Sequence, residues 1–208
     1  MRMQNIVIVD YGLGNLASIK NMLKAIGTSS FITSDIAEIN QADKLILAGV
    51  GAFDKAMQNL EELNLLQVLN DLVLTRKIPV LGICLGMQLF TETSEEGKKK
   101  GLGWIKGKTI KFSFDTTGSN RKIPHMGWNT ITIKRDNILF HGLDNDARFY
   151  FVHSYYVTCE DQADVLASTF YGIDFTSALQ KDNIYGVQFH PEKSHRFGKS
   201  LLEKFTEI

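Results

Sequence analysis

The chain is short of the features that mark several protein classes. Two cysteines in 208 residues, Cys84 and Cys159, are too few for a disulfide framework. They point to a reducing compartment and a cytoplasmic location. No apolar run is long enough to span a bilayer, and no signal peptide is read at the start. Charge of one sign is also missing: 23 Lys and Arg balance 23 Asp and Glu. The one basic cluster, Lys98–Lys100 in "GKKKG", reads as a solvated loop, so a nucleic-acid binder is not expected. The five histidines are scattered and no ligand-spaced cysteine pair accompanies them, which speaks against structural zinc. His190, Glu192 and His195 lie close together and leave a metal reading open at this point.

What is present is an ordinary globular composition, 44% apolar and 22% charged, in a length that suits a single domain over 1–208. Ile6–Val9 reads as a strand, and Leu16, Ile19, Leu23 and Ile26 then recur on one helix face. "KLILAGV" is followed by a helix carrying Phe53, Met57 and Leu60, and "IPVLGICLG" by a helical "GMQLFTETSEE". Apolar strands without alternation, each followed by a helix, predict an open, mostly parallel α/β sheet with helices on both faces. The aromatic runs "RFYFVHSYYV" and "FTSALQ-KDN-IYGVQFH" predict antiparallel additions to that sheet. A last helix carries Phe197, Leu201, Leu202 and Phe205.

The first βα junction, "DYGLGNLAS", fits G-x-G-x-x-A, with Asp35 at roughly the 20-residue distance of a dinucleotide fingerprint. A nucleotide-binding module is therefore one reading. Asp10 opposes it, because a carboxylate at the strand end repels a diphosphate.

"LGICLGM" carries more chemistry. It sets Cys84 at a strand-to-helix junction between Gly82 and Gly86, the sulfur counterpart of a nucleophile elbow. The glycines allow a sharp turn, the helix N-terminus favours a thiolate, and the Leu85 N–H points to where an oxyanion develops. The plain alternative is a small buried side chain. In "GVQFHPEKSH" an alternating strand ends at His190, and Glu192 follows beyond Pro191. An extended segment would put both on one side, so Glu192 can orient His190 as the third member of a triad. The order nucleophile, histidine, acid differs from that of an α/β-hydrolase. A proline-fixed His-Pro-Glu serves a thiol nucleophile without further ligands, so the metal reading recedes. Gly49-Val50-Gly51 offers a second nest of N–H groups, or simply a tight turn.

Together "GICLGMQLF", "GVQFHPEKS" and "AGVGAFDKAM" resemble the class I, triad-type glutamine amidotransferases. "PHMGWN" and "DYGLGNLAS" make the likeness closest to the glutaminase subunits of imidazole glycerol phosphate synthase. The resemblance runs essentially end to end. It implies a Cys84 thiolate attacking glutamine, His190 as acid and Glu192 as its orienter, with no cofactor and no metal. It implies an oxyanion hole from Leu85 and the Val50–Gly51 segment, and a glutamine site of Gly49, Gly51, Gln88 and the backbone at Ser154 and Tyr155. It also implies a heterodimer with a (β/α)8-barrel cyclase that takes the ammonia. His125, Met126, Gly127, Trp128, Asn129 and Lys193 are expected to face that partner, with Asn15 as a relay. Ala48 stands where the family usually has proline, and "SHRFG" resembles a paralogous branch that supplies ammonia for surface-sugar amidination.

Overall fold

The computed structural model describes residues 4–114, 121–144 and 146–208. Its first half contains β1 (Ile6–Val9), α1 (Leu16–Ala25), β2 (Ser30–Thr33), α2 (Ile36–Ile39), β3 (Lys44–Gly49), α3 (Phe53–Glu62) and α4 (Leu65–Asn70). There follow β4 (Val80–Cys84), α5 (Leu85–Leu89), β5 (Thr93–Ser94), β6 (Gly107–Lys111), β7 (His125–Thr130) and β8 (Thr132–Ile133). The second half adds β9 (Arg148–His153), β10 (Tyr155–Cys159), β11 (Val165–Phe170), β12 (Asp174–Lys181), β13 (Ile184–Val187) and α6 (His195–Glu207).

The main sheet runs β2-β1-β3-β4-β13-β12-β10-β6-β5, with β11 and β8 attached beside β12. From β2 to β13 all pairings are parallel. Beyond β13 they turn antiparallel, except the short β5–β6 pair. Strand β1 is apolar without alternation because both of its faces are covered. Ile6 and Ile8 join the core beneath α1 and α6, while Val7 and Val9 join that beneath α3 and α4.

Three sequence expectations change in detail. The segment "GMQLFTETSEE" is helical only over Leu85–Leu89. Thr91 Oγ1 takes the Gln88 carbonyl at 2.8 Å, Glu92 N donates to Gly107 O, and Thr93 and Ser94 pair with β6. Tertiary pairing therefore overrides the local helical pattern. The run "RFYFVHSYYV" divides at Ser154. Its first half pairs with β7 in a separate two-stranded sheet, and only β10 joins the main sheet. Strand β13 is antiparallel to β12 as expected, yet parallel to β4, so it belongs to the central parallel set.

In an open α/β sheet, the loops leaving the carboxyl ends of the strands meet along one edge, where the strand order reverses. Here the order reverses at β1, and the ends of β1, β3, β4 and β13 lie side by side. Gly49 pairs with Cys84 in register, and Val187 with Ile83.

Candidate active site

Cys84 ends β4 with φ 53° and ψ −109°, a strained conformation for a residue with a side chain. The flanking glycines act differently from the expectation. Neither has a positive φ, and the sharp turn is made by Cys84 itself. Gly82 and Gly86 permit close approach: a Cβ on Gly86 would lie 1.6 Å from Leu47 O, and one on Gly82 2.5 Å from the Phe90 ring. The turn brings α5 directly against β3. Because α5 has five residues, its contribution at Cys84 is its free N–H groups rather than a long dipole.

His190 follows β13 and bridges to Tyr150. The chain after it is a 3-10 turn, Pro191–Lys193, and not the extended segment expected. Lys193 N returns to His190 O, and Ser194 Oγ donates to the same carbonyl at 2.6 Å. This turn still brings Glu192 Oε1 to 2.7 Å from His190 Nδ1, with both side chains buried. His190 Nε2 is buried without a full hydrogen bond of its own and is left to the Cys84 thiol. Burial alone would lower the imidazole pKa. Contact with Cys84 and with Glu192 outweighs it and pushes the value up to about 10. The arrangement favours an imidazolium beside a sulfur nucleophile.

A cavity of about 240 Å³ opens beside Cys84, lined by Val50, Gly51, Leu85, Gln88, Glu96, Pro124, Val152, His153, Ser154 and Tyr155 among others. Its size suits one amino acid rather than a drug-sized ligand. Gln88 Nε2 donates to Tyr155 O at 3.0 Å and to Gln188 Oε1 at 3.1 Å. The Ser154 carbonyl is taken by Phe112 N. Gly49 ends β3 against the Tyr11 ring, whose hydroxyl would be 2.0 Å from any Cβ at that position.

The "DYGLGNLAS" loop sits on this same edge. Gly14 packs on Gly49, with a Cβ there 3.0 Å from Gly49 Cα. Gly12 N donates to Asp10 Oδ1 at 2.9 Å, so the carboxylate occupies the N–H that a diphosphate would need. Asn15 caps α1, accepting from Ser18 N at 3.3 Å.

Strand β7 divides the residues expected to face a partner. Met126 is 61% exposed, Trp128 46%, and Gly127 and Asn129 are half-buried. His125 departs from the expectation: it is 3% exposed, stacked between Phe151 and Tyr171, and presents no surface. Alternation along the strand turns it to the core. Lys193 is exposed, its Nζ 5.6 Å over the Tyr150 ring. His195 stacks on Trp128 at 5.3 Å instead of joining His190 and Glu192. No group of three or more potential metal ligands is found among the described residues.

Sequence reasoning missed Tyr11, Glu96, His153 and Gln188. Gln188 is fully buried and its Nε2 lies 3.6 Å from Cys84 Sγ, a contact that nothing in the local "GVQFH" stretch marks. Glu96 gave no signal in "TSEEGKKK"; burial raises its pKa, and its Oε2 accepts from Phe53 N. No helix among the described residues is long and apolar enough to cross a membrane.

Comparison with known proteins agrees with this geometry. The family described as "Glutamine amidotransferase class-I" matches residues 7–208. Imidazole glycerol phosphate synthase subunit HisH 2 of Methanococcus maripaludis is 57% identical over 203 residues, covering 97% of this chain and 98% of the relative. Subunit HisH of Leptospira interrogans is 49% identical over 201 residues, with the same coverage. Among solved structures, PurLQS of Thermotoga maritima has a TM-score of 0.73 at 15% identity, covering 99% of this chain and 98% of that one, a likeness of fold. The chain belongs to the class-I glutamine amidotransferase family and, within it, to the HisH group of imidazole glycerol phosphate synthase subunits.

Proposed function

We propose that the protein is the glutaminase subunit of imidazole glycerol phosphate synthase, with Cys84, His190 and Glu192 as its catalytic triad. The observation that carries this reading is the buried His190–Glu192 pair beside a cysteine held at positive φ on the rim of an amino-acid-sized cavity. The Cys84 thiolate attacks the glutamine carboxamide carbon. The C=O electrons move onto oxygen, where the Leu85 N–H and, after local rearrangement, an N–H of Val50–Gly51 receive the negative charge. Collapse of this intermediate breaks the C–N bond as the His190 imidazolium gives its proton to the departing ammonia. Water, deprotonated by His190, then cleaves the thioester to glutamate and restores the thiolate. Glu192 holds His190 in one orientation throughout.

Glu96 is the one ionisable carboxylate among the lining residues, and it offers a partner for the substrate ammonium. Gln88, Gly49, Gly51 and the backbone at Ser154 and Tyr155 complete the glutamine site. Ammonia passes to a (β/α)8-barrel cyclase docked on the face bearing Met126, Gly127, Trp128, Asn129, Lys193 and Asn15. A dry path matters because ammonia in water is mostly protonated and non-nucleophilic.

Cys84→Ala tests the assignment. Glutamine-dependent synthesis with the cyclase should vanish while ammonium salts still support it. Retained glutamine hydrolysis would overturn Cys84 as the nucleophile.

A second reading keeps the chemistry and changes the acceptor to a surface-sugar synthase. It rests on the resemblance of "SHRFG" to that branch, and His195 of this stretch stacks on Trp128 at the proposed docking face. Glutamate release measured with each partner in turn separates the two readings.

A further inference from the structure

Behind strand β7 lies a buried polar chain that the triad chemistry does not use. His125 Nδ1 is 3.1 Å from His153 Nε2, and His153 Nδ1 is 2.8 Å from the Tyr155 carbonyl oxygen. At the outer end Asn129 Nδ2 is 3.3 Å from His125 Nε2. The same Nδ2 donates to Phe170 O, while Asn129 Oδ1 accepts from Thr130 N. At the inner end Tyr155 O also accepts from Gln88 Nε2, which reaches Gln188 Oε1, and Gln188 Nε2 reaches Cys84 Sγ.

The order of protons in this chain is forced. A carbonyl only accepts, so His153 carries its proton on Nδ1. Its Nε2 is then an acceptor if the ring is neutral, and His125 must donate from Nδ1. His125 Nε2 is left to accept from Asn129, whose amide cannot turn over without losing both of its own backbone bonds. Protonating either ring would set donor against donor. Burial works to the same end, pushing His125 down to about 4 and His153 down to about 3.

We propose that His125 and His153 are positioning residues: a proton-ordered chain of neutral groups from Asn129 through His125 and His153 holds the Tyr155 carbonyl, and with it one wall of the glutamine cavity, in register with strand β7. His153 lines that cavity, and Tyr155 O orients the Gln88 amide within it. The half-buried end of the chain lies beside Trp128, so displacement of β7 by a docked partner reaches the cavity wall through three hydrogen bonds. This inference rests on the reading of the cavity as a glutamine site.

The test has two arms. Nitrogen-15 NMR of the histidine rings in the wild-type protein should show both as neutral Nδ1–H tautomers; a neutral Nε2–H form at His153 would overturn the proposal whatever the substrate. The second arm is steady-state glutaminase kinetics with saturating cyclase. His125→Phe keeps the stacked ring but removes the donor, and KM for glutamine should rise roughly three- to tenfold, the range of one lost hydrogen bond. His125→Asn restores an N–H at the Nδ1 position and should recover most of that loss. Asn129→Ala, at the outer end, leaves the core intact and should give a smaller rise in KM. Wild-type KM in both His125→Phe and Asn129→Ala would overturn the proposal. If the wild-type protein hydrolyses no glutamine with its partner, the glutaminase reading fails, and the tautomers still decide the hydrogen-bond order.

Discussion

At the scale of single residues, the candidate site combines two unfavourable states, a cysteine at positive φ and a tyrosine whose hydroxyl is buried without a partner. Tyr11 is fully buried and its Oη makes no hydrogen bond, although the ring packs directly on Gly49. Burial, with a smaller contribution from Cys84, raises the phenol pKa, so the group stays protonated. An unmatched buried hydroxyl costs about 1–3 kcal/mol relative to a satisfied one, whereas an apolar group of the same shape carries no such penalty. Tyr11→Phe should therefore leave folding stability unchanged or raise it by about 1 kcal/mol, unlike most core substitutions. Urea unfolding checks this; a loss larger than about 1 kcal/mol would mean that the hydroxyl has a partner in the folded protein.

The elements explain which parts of this site were legible in the sequence. Cys84 and the His190–Glu192 pair could be read because each is fixed by its immediate neighbours: a strand end with small flanking residues, and a proline-led turn. Even there the local geometry differed, since the turn is 3-10 and the positive φ belongs to Cys84 rather than to the glycines. Gln188, Glu96 and His153 were illegible because their meaning comes from partners far along the chain. Gln188 meets Cys84 across 104 positions, and Gln88 meets Tyr155 across 67. The parallel strands were plain from their unbroken apolar runs. The short α5 was not, because pairing of Thr93 and Ser94 with β6 decides where it stops. Helix α1 begins at a residue for which a cap and a proposed relay role can be separated. Asn15 is its N-cap, so Asn15→Ala should lower stability by about 0.5–1 kcal/mol, while Asn15→Ser keeps the cap and most of the stability. A relay role would make both variants lose partner-stimulated glutaminase activity. Full stimulation in Asn15→Ser would leave Asn15 as a cap alone.

For the whole molecule, three buried imidazoles set opposite limbs of the stability–pH curve. His125 and His153 have folded-state values near 4 and near 3, below the ordinary 6.5. As pH falls below 6.5 the unfolded chain binds protons that the folded protein refuses, so stability drops on acidification towards pH 4. His190 is displaced the other way, to about 10, by Cys84 and Glu192 acting against burial. Its stabilisation is complete below 6.5 and is lost as pH rises from there through 10, because the folded protein holds a proton that the unfolded chain has released. Each limb should have a slope on the order of 1 kcal/mol per pH unit for each proton involved. The maximum should fall near pH 6.5, between the two limbs. Urea unfolding at half-unit steps from pH 4 to 10 measures both limbs, and variants assign them. Cys84→Ser removes one of the contacts that raise His190 and should flatten the alkaline side, leaving the acid side as it was. His125→Phe removes one of the two groups behind the acid side and should roughly halve its slope, leaving the alkaline side as it was. An acid limb that is already flat in the wild-type protein would mean that His125 and His153 titrate as freely folded as unfolded, and the neutral, proton-ordered pair behind β7 could not exist.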